Sequence, residues 1–193
     1  MRLGEVVRQS FSGGTPSTKV GRYWGGDIPW ITSATISEDD VVLEGHLRTI
    51  TRDGLEASAT KIATKGSLVV ATRVGVGKAA VAGFDIAISQ DLTALLLTGD
   101  TEAMYLAWLF KCSWFQASLG SGVRGATIKG ITKDDLLSAP IPLPDVEQQR
   151  YVVERLQRAR EHIDELNAAQ EETETRLKTL EQSILDKAFR GQL

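Results

Sequence analysis

The sequence predicts an α+β protein, with a mixed, strand-rich domain at residues 1–144 and a single long coiled-coil α-helix at residues 145–193. Two observations predict this class. Short apolar runs separated by glycine-rich turns fill the first part, which is typical of short strands. An unbroken heptad pattern fills the last quarter, which is typical of a coiled coil. With 193 residues and 42% hydrophobic content, the chain can bury one ordinary core beside that helix.

The first strands are expected after two glycine-rich stretches. Gly13–Ser17 and Gly25–Trp30 are predicted as loops, because each combines a glycine pair with a nearby proline. Further along, runs of small and β-branched apolar residues are bounded by turn residues, which favours strands. The predicted strands are Thr60–Thr64, Ser67–Thr72, Ala79–Ala82, Ile86–Ile88 and Thr93–Leu97.

The next elements are helical. Asp100 is predicted to cap a helix that is apolar on most faces and ends near Ser118. A polar, glycine-rich loop at Gly120–Thr127 follows it. Thr132 is expected to cap a short turn, and Ile141–Leu143 to form a last extended piece before the long helix.

The long helix begins after Pro142-Leu143-Pro144, where Asp145 is predicted to cap it. Its about 43 residues would span ~64 Å. That is too long to be covered by a domain of this size, so the apolar stripe needs a partner helix. Six strongly apolar stripe positions are the predicted dimerisation residues, and the polar pair Gln170 and Thr173 interrupts the stripe and restricts its register. The stripe runs through Val152, Leu156, Ala159, Ile163, Leu166, Gln170, Thr173, Leu177, Leu180 and Ile184; the six are Leu156, Ile163, Leu166, Leu177, Leu180 and Ile184.

Composition and charge limit the classes of function. No apolar run approaches 18 residues and no leader is recognisable, so a cytoplasmic protein is expected. The single Cys112 fits a reducing compartment. Residues 1–139 contain 14 Lys+Arg and 14 Asp+Glu, and residues 140–193 contain 8 and 11, which together give the net charge of −3. Charge alone therefore does not indicate a nucleic-acid binder, and any such contact must come from local clusters.

No catalytic motif is found. Gly75-Val76-Gly77-Lys78 ends like a phosphate loop, but Thr72 and Ala79 stand where that motif needs glycine and Ser or Thr. His46 and His162 stand alone, and no side-chain set has the spacing of a metal site or the context of a catalytic triad. No glycine-rich turn suits a dinucleotide or S-adenosylmethionine. We expect no enzymatic activity, no cofactor and no metal.

Several motifs, in order, resemble a specificity subunit of Type I restriction-modification systems. The opening of its target-recognition domain is similar to Gly13–Ser17, to Tyr23–Thr32 and to Ile50–Leu55 with Ser58-Ala59. Its conserved helical region is similar to Ile141–Pro144 with Glu147-Gln148-Gln149, and to the end of the helix at Ser183–Leu193. Family members usually have two recognition domains and two long helices. This chain has one of each, so it resembles a half-length subunit, either natural or the second half of a longer one.

The resemblance implies a non-catalytic protein that reads double-stranded DNA and docks methyltransferase subunits, which a restriction subunit can join. The long helix would act as a ruler between two recognition domains. A half-length chain could rebuild the full arrangement as a homodimer through its C-terminal helix. Two-fold symmetry then requires two identical, inverted half-sites, with a spacer below the ~19 base pairs that ~64 Å could span.

Residues that contact DNA are predicted from chemistry. Arginine can read guanine edges, whereas lysine and hydroxyl side chains hold phosphates. The candidates, all in predicted loops, are Thr15, Ser17, Lys19, Tyr23, Trp24, Ser33, Arg73, Lys78, Arg124, Thr127 and Lys129.

Other interpretations stay open. Trp24 and Trp30 could be core aromatics, Thr15-Pro16 could only shape a turn, Arg73 could pair with an acid, and Lys129 could be merely solvated. At the level of function, a coiled-coil scaffold without DNA specificity is the alternative, and an enzyme with an unrecognised site is a third class.

Overall fold

The computed structural model describes residues 1–39, 41–120 and 130–192. It divides the chain into an N-terminal unit, Met1–Arg150, and a C-terminal unit that begins at Tyr151. The N-terminal unit combines two β-sheets with short helices, and a long helix dominates the C-terminal unit. The predicted α+β class is confirmed.

The larger sheet has five strands in the order β1-β9-β6-β7-β3, antiparallel except for the β3–β7 pair. The central strand β6 is buried on both faces, which explains its continuous apolar sequence. Leu68 and Val70 face one cluster of the core, and Val69 and Ala71 face another. The strands are β1 Val7–Ser12, β3 Val42–Leu43, β6 Leu68–Ala71, β7 Ala79–Ala82 and β9 Leu92–Leu97.

The smaller sheet has four strands in the order β4-β2-β8-β5, with β2 and β8 parallel. Its buried side chains pack with those of the larger sheet in one cluster that includes Ile31, Ile86 and Ile88 from the smaller sheet and Val69 and Ala80 from the larger. The strands are β2 Trp24–Ile31, β4 Arg48–Ile50, β5 Lys61–Ala63 and β8 Ile86–Ile88.

The short helices pack against the other face of the larger sheet, where Leu106, Phe110 and Phe115 join Leu68 and Val70. The short α-helices are α1 Arg52–Glu56, α2 Ala103–Leu109, α3 Ser113–Gly120 and α4 Lys133–Ser138, and the long helix is α5 Val146–Phe189. Because α1 packs instead beside β2 and the 3₁₀ turn Gly21–Tyr23, it takes no part in this layer.

The strand predictions after residue 60 are confirmed. Ala79–Ala82 and Ile86–Ile88 match their strands at both ends, and the other three overlap β5, β6 and β9 with small shifts. Ile141–Leu143 is not a strand; near it Pro140 makes a single bridge with Arg2.

The prediction of a loop over Gly25–Trp30 was wrong, because these residues belong to β2. They pair with β4 on one side and β8 on the other, and a shift of register between Trp24 and Ile28 accommodates the glycines. Burial of Trp30 and Ile31 stabilises the strand despite the glycines and Pro29.

The single helix predicted between Asp100 and Ser118 is two helices, α2 and α3. The chain turns between them, and the Gln116 side chain donates to the Phe110 carbonyl that the break leaves open. Phe110 and Phe115 meet edge to face at 4.9 Å across the turn. Asp100 does not cap α2; its cap position is Glu102, without a side-chain bond. Thr132 caps α4 as predicted, through a reciprocal capping box with Asp135.

The long helix α5 has 44 residues. It begins as predicted, since the amide of Gln148 donates to the Asp145 carboxylate at 2.8 Å. Gln149, in its first turn, is fully buried in the N-terminal unit. Its amide nitrogen donates to the carbonyls of Pro144 (2.8 Å) and Asp100 (3.2 Å), and its oxygen accepts from the amide of Glu102 (2.9 Å).

In the C-terminal unit, the side of α5 away from the stripe carries ion pairs between residues four apart, such as Glu154–Arg158 and Glu172–Arg176. These pairs support an exposed helix. The six predicted dimerisation residues are all exposed in the single chain, from 36% for Leu156 to 60% for Leu177. Across the described residues, no helix has the length and apolar character needed to cross a membrane.

Candidate nucleic-acid interface

One end of the larger sheet brings together four of the predicted loop residues, Thr15, Ser17, Arg73 and Lys78. The antiparallel pairings bring together the end of β1, the end of β6, the start of β7 and the start of β9. Four segments therefore meet there, which we call the loop end: residues 12–17, 72–78, 89–91 and 130–133. The last of these is held by the amide of Ile131, which donates to the Thr72 carbonyl at 2.9 Å.

Gly13 and Gly14 fix the first segment of the loop end. A Cβ on Gly13 would lie 1.9 Å from the Ile88 carbonyl oxygen, and one on Gly14 would lie 2.6 Å from the backbone of Ala59. The Gly14 carbonyl accepts from the Thr60 hydroxyl (2.8 Å) and from the Trp30 indole (3.2 Å). Only glycine allows this approach, and it leaves Thr15 and Ser17 exposed on either side of buried Pro16.

The β6–β7 connection, residues 72–78, carries Arg73. Gly75 and Gly77 have φ values of 69° and 88°, which side chains other than glycine rarely adopt. The turn closes where the Lys78 amide donates to the Gly75 carbonyl at 3.1 Å. The Gln116 side chain donates to the Gly77 carbonyl at 2.8 Å. Arg73 is exposed beside this braced turn, and Lys78 is half-buried.

Arg73 lines a cleft at the loop end. Within the part of the chain that the structure describes, it makes no ion pair with an acid, so the interpretation of Arg73 as a paired residue finds no support there. The cleft is lined by Ser12, Gly13, Thr72, Arg73, Gln90, Thr93, Gly130, Ile131, Thr132 and Lys133.

The loop end is locally basic, although residues 1–139 together carry no net charge. Its four segments contain three basic residues, Arg73, Lys78 and Lys133, and one acid, Asp91. Backbone amides and hydroxyls surround them. This combination suits phosphate contacts together with reading of base edges.

Tyr23 and Trp24 lie outside the cleft, and Trp24 makes packing contacts. The Trp24 indole donates to the Ser17 carbonyl at 3.2 Å, and the Arg48 guanidinium lies 4.0 Å from the centre of the Trp24 ring. Trp24 also meets Trp30 edge to face at 5.2 Å. Trp30 is a core residue, 5% exposed, as the alternative interpretation proposed. Trp24 is half-buried and braces the loop that ends at Ser17.

The remaining candidates separate. Lys19 is exposed, just beyond the first segment. Ser33 is only 4% exposed, so its hydroxyl is not available at the surface, and we drop it from the interface as a correction. Arg124, Thr127 and Lys129 lie outside the described residues, so their predicted contacts stay predictions.

Gln90, Thr132 and Lys133 also line the cleft, although they were not among the predicted residues. Gln90 occupies the tight β8–β9 turn, between fully buried Ile88 and Leu92. A single exposed glutamine between two apolar strands was a usable signal. Thr132 and Lys133 gave no such signal, because a capping threonine and the residue after it have the same sequence pattern at helix starts that line no cleft.

Among residues 1–39, 41–120 and 130–192, no cluster of three or more His, Cys, Asp or Glu side chains could hold a metal ion.

Comparison with known proteins gives one consistent family. The family described as "Type I restriction modification DNA specificity domain" matches residues 1–175. The specificity subunit of the Type I restriction enzyme MjaIX from Methanocaldococcus jannaschii is 29% identical over 151 residues, which are 78% of this chain and 34% of that protein. The EcoR124I/EcoR124II specificity subunit of Escherichia coli is 24% identical over 159 residues, 80% of this chain and 39% of that protein.

Solved structures agree. A chain from a study of complex assembly and conformational transition in the type I R-M system has a TM-score of 0.77 and 32% identity, and the match covers 100% of this chain and 46% of that one. The HsdS subunit from Thermoanaerobacter tengcongensis has a TM-score of 0.70 and 31% identity, with 100% and 45% covered. The chain thus spans less than half the length of the relatives it matches.

Proposed function

Because the chain belongs to the Type I restriction modification DNA specificity family, we propose that it reads DNA sequence for a Type I restriction-modification system and catalyses nothing itself. The observation that carries this proposal is the loop end. There, four polar segments at one end of the larger sheet meet around a cleft that contains Arg73.

The proposed contacts divide by chemistry. Arg73 is the reader, because its planar guanidinium can bond both O6 and N7 of guanine. Ser17, Lys19, Lys78 and Lys133 are exposed or half-exposed donors that suit phosphates, and Thr15 lies beside them with its hydroxyl bonded to Gln90. Arg124, Thr127 and Lys129 stay proposed DNA contacts on chemical grounds alone. Tyr23 and Trp24 are proposed to support the surface rather than to touch DNA.

We assign DNA reading to residues 1–144 and the spacing and pairing of chains to residues 145–193. Full burial of a leucine or isoleucine contributes roughly 1.5–3 kcal/mol. Six such side chains are partly or largely exposed on α5, at Leu156, Ile163, Leu166, Leu177, Leu180 and Ile184. That supports a partner helix, and we propose a second copy of this chain.

Antiparallel pairing of two α5 helices would bring the Gln170–Thr173 layers of both chains together. The dimer would recognise a bipartite site of two identical, inverted half-sites. Methyltransferase subunits would dock on it, and a restriction subunit would join where the system also cleaves.

The test is DNA binding by the full chain, alone and with a methyltransferase of the same kind of system. Duplexes carrying a randomised segment are selected on the protein, sequenced and measured over a salt series. We expect an enriched, inverted repeat sequence, and methyl transfer only when the methyltransferase is present. Matched controls are the methyltransferase alone and Arg73→Ala. Binding to no DNA, with an intact dimer, would favour the scaffold alternative, and methyl transfer by the chain alone would contradict the absence of catalysis.

A further inference from the structure

Hydrogen bonds of the neighbouring residues fix the position of Gln90, although its side chain is exposed. Gln90 occupies the β8–β9 turn, and its neighbour Ser89 is fully buried. The Ser89 amide donates to the Ile31 carbonyl at 3.0 Å, and the Ser89 hydroxyl accepts from the amide of Asp91 at 3.3 Å. The Asp91 carbonyl accepts from the amide of Thr72 at 2.9 Å. The turn is thereby bonded to the end of β2 and to the residue that follows β6, so the backbone of Gln90 is fixed.

The side chain of Gln90 is oriented as well. The Thr15 hydroxyl donates to its Oε1, and Thr15 follows the locked glycine pair Gly13-Gly14. Within the described residues, the amide nitrogen Nε2 makes no hydrogen bond that would use its two donors. The same side chain lines the cleft that holds Arg73. An amide fixed by its oxygen, with its nitrogen unused, presents donors to whatever occupies the cleft.

From this geometry we infer that Gln90 is a second base-reading side chain that recognises adenine, and that Thr15 is its positioning residue. In the major groove adenine offers N7 as acceptor and N6 as donor. Gln90 matches this pair, because Nε2 can donate to N7 while the second lone pair of Oε1 accepts from N6. The inference rests on the proposed DNA-reading function and adds to it the identity of one base.

A purely structural role makes a different prediction. If the Thr15–Gln90 bond only joins two loops, its loss lowers stability and leaves sequence preference unchanged. If Gln90 reads a base, its loss removes preference at one position and leaves the others intact.

The experiment selects duplexes with a randomised segment on the full chain with its methyltransferase partner, for wild type and five variants. Gln90→Ala is expected to lose roughly 5- to 150-fold of the preference for one A·T pair per half-site. Gln90→Glu, which can only accept, should move that position toward cytosine, whose N4 donates. Thr15→Val should weaken the same position, and Thr15→Ser, which keeps the hydroxyl, should retain it.

Gln9→Ala is the matched control, because Gln9 is exposed on β1 away from the loop end and should change no position. Thermal unfolding confirms that each variant is folded, and Gln90→Glu keeps the test informative if Gln90→Ala is unstable. A wild-type motif that Gln90→Ala leaves intact overturns this inference while the proposed function stands. So does a Thr15→Val effect at another position. A wild type that enriches no sequence overturns the proposed function itself.

Discussion

At the scale of single residues, the backbone of the loop end depends on glycines, because they have no side chain. Gly13 is the clearest case, because its missing Cβ lets the Ile88 carbonyl approach. We expect Gly13→Ala to lower the free energy of unfolding by about 1–3 kcal/mol, since the backbone of β8 must shift to admit the methyl group. Urea unfolding measures this. Gly45→Ala is the control, because a Cβ there meets nothing within 4 Å; equal losses in both variants would contradict the argument.

Arg73 allows the reading of bases to be separated from the attraction of phosphates. Arg73→Lys keeps the charge but loses the bidentate geometry, so it should retain most affinity and lose about 1–3 kcal/mol of discrimination at one base pair. Lys133→Ala should lower the slope of affinity against salt by about one and leave sequence preference unchanged. Binding to a selected and a scrambled duplex across a salt series measures both effects.

Two outcomes would move the assignment. Full discrimination by a folded Arg73→Lys would transfer the reading role to Arg124, for which Arg124→Ala carries the same expectation, with Lys129→Ala as its phosphate counterpart. An unchanged salt slope in Lys133→Ala would remove that residue from the phosphate contacts.

The sequence pointed to part of this candidate site for physical reasons. Arg73 and Thr15 were chosen as candidates because polar side chains among glycines have few packing roles. Gln90 was missed because its meeting with Thr15, 75 residues away, exists only once the strands are paired. Ser33 was misplaced because a 3₁₀ turn can bury its first residue, and composition does not tell which side of the turn faces the core.

At the scale of elements, pairing between strands determined the structure in places where the local preferences of the residues favoured a different one. The strands β6 to β9 were predictable, because buried strands are continuous apolar runs bounded by turns. In β2 the glycines and Pro29 oppose a strand, yet two neighbouring strands supply its hydrogen bonds. The break between α2 and α3 has no proline or glycine to signal it. It depends on the packing of Phe110 against Phe115 and on the Gln116 side chain.

The first turn of α5 is joined to the rest of its unit through the buried Gln149. We expect Gln149→Ala to cost about 1–3 kcal/mol or more of stability, because the amide of Glu102 and two carbonyls lose their buried partner. Gln149→Glu should be at least as costly, since a carboxylate would face the carbonyls of Asp100 and Pro144. Chemical unfolding gives the loss. Gln148→Ala, at the exposed neighbour, should stay within about 0.5 kcal/mol, and a similar loss there would argue against this role of Gln149.

At the scale of the whole molecule, the apolar stripe of α5 predicts self-association. Leu166→Glu places a charge in the proposed seam and should convert a dimer into a monomer of 21.0 kDa. Ala168→Glu adds the same charge on the outer side of the helix and should leave the dimer intact. Sedimentation at tens of micromolar distinguishes the two. A monomeric wild type at that concentration would contradict the pairing proposal.

The sheet order also determines when, during synthesis, each strand can pair with its neighbour. β1 ends at Ser12 but pairs with β9, which ends at Leu97, and the Leu3 amide bonds the Ala139 carbonyl. At about 5–20 residues per second, a ribosome needs roughly 4–17 s after finishing β1 to supply its partner strand. A nascent chain stopped before Leu92 lacks the strand that joins β1 to β6. Since α5 follows the paired strands in the chain, the proposed DNA-reading surface can be completed before α5, the helix proposed to pair with a second copy, has been synthesised.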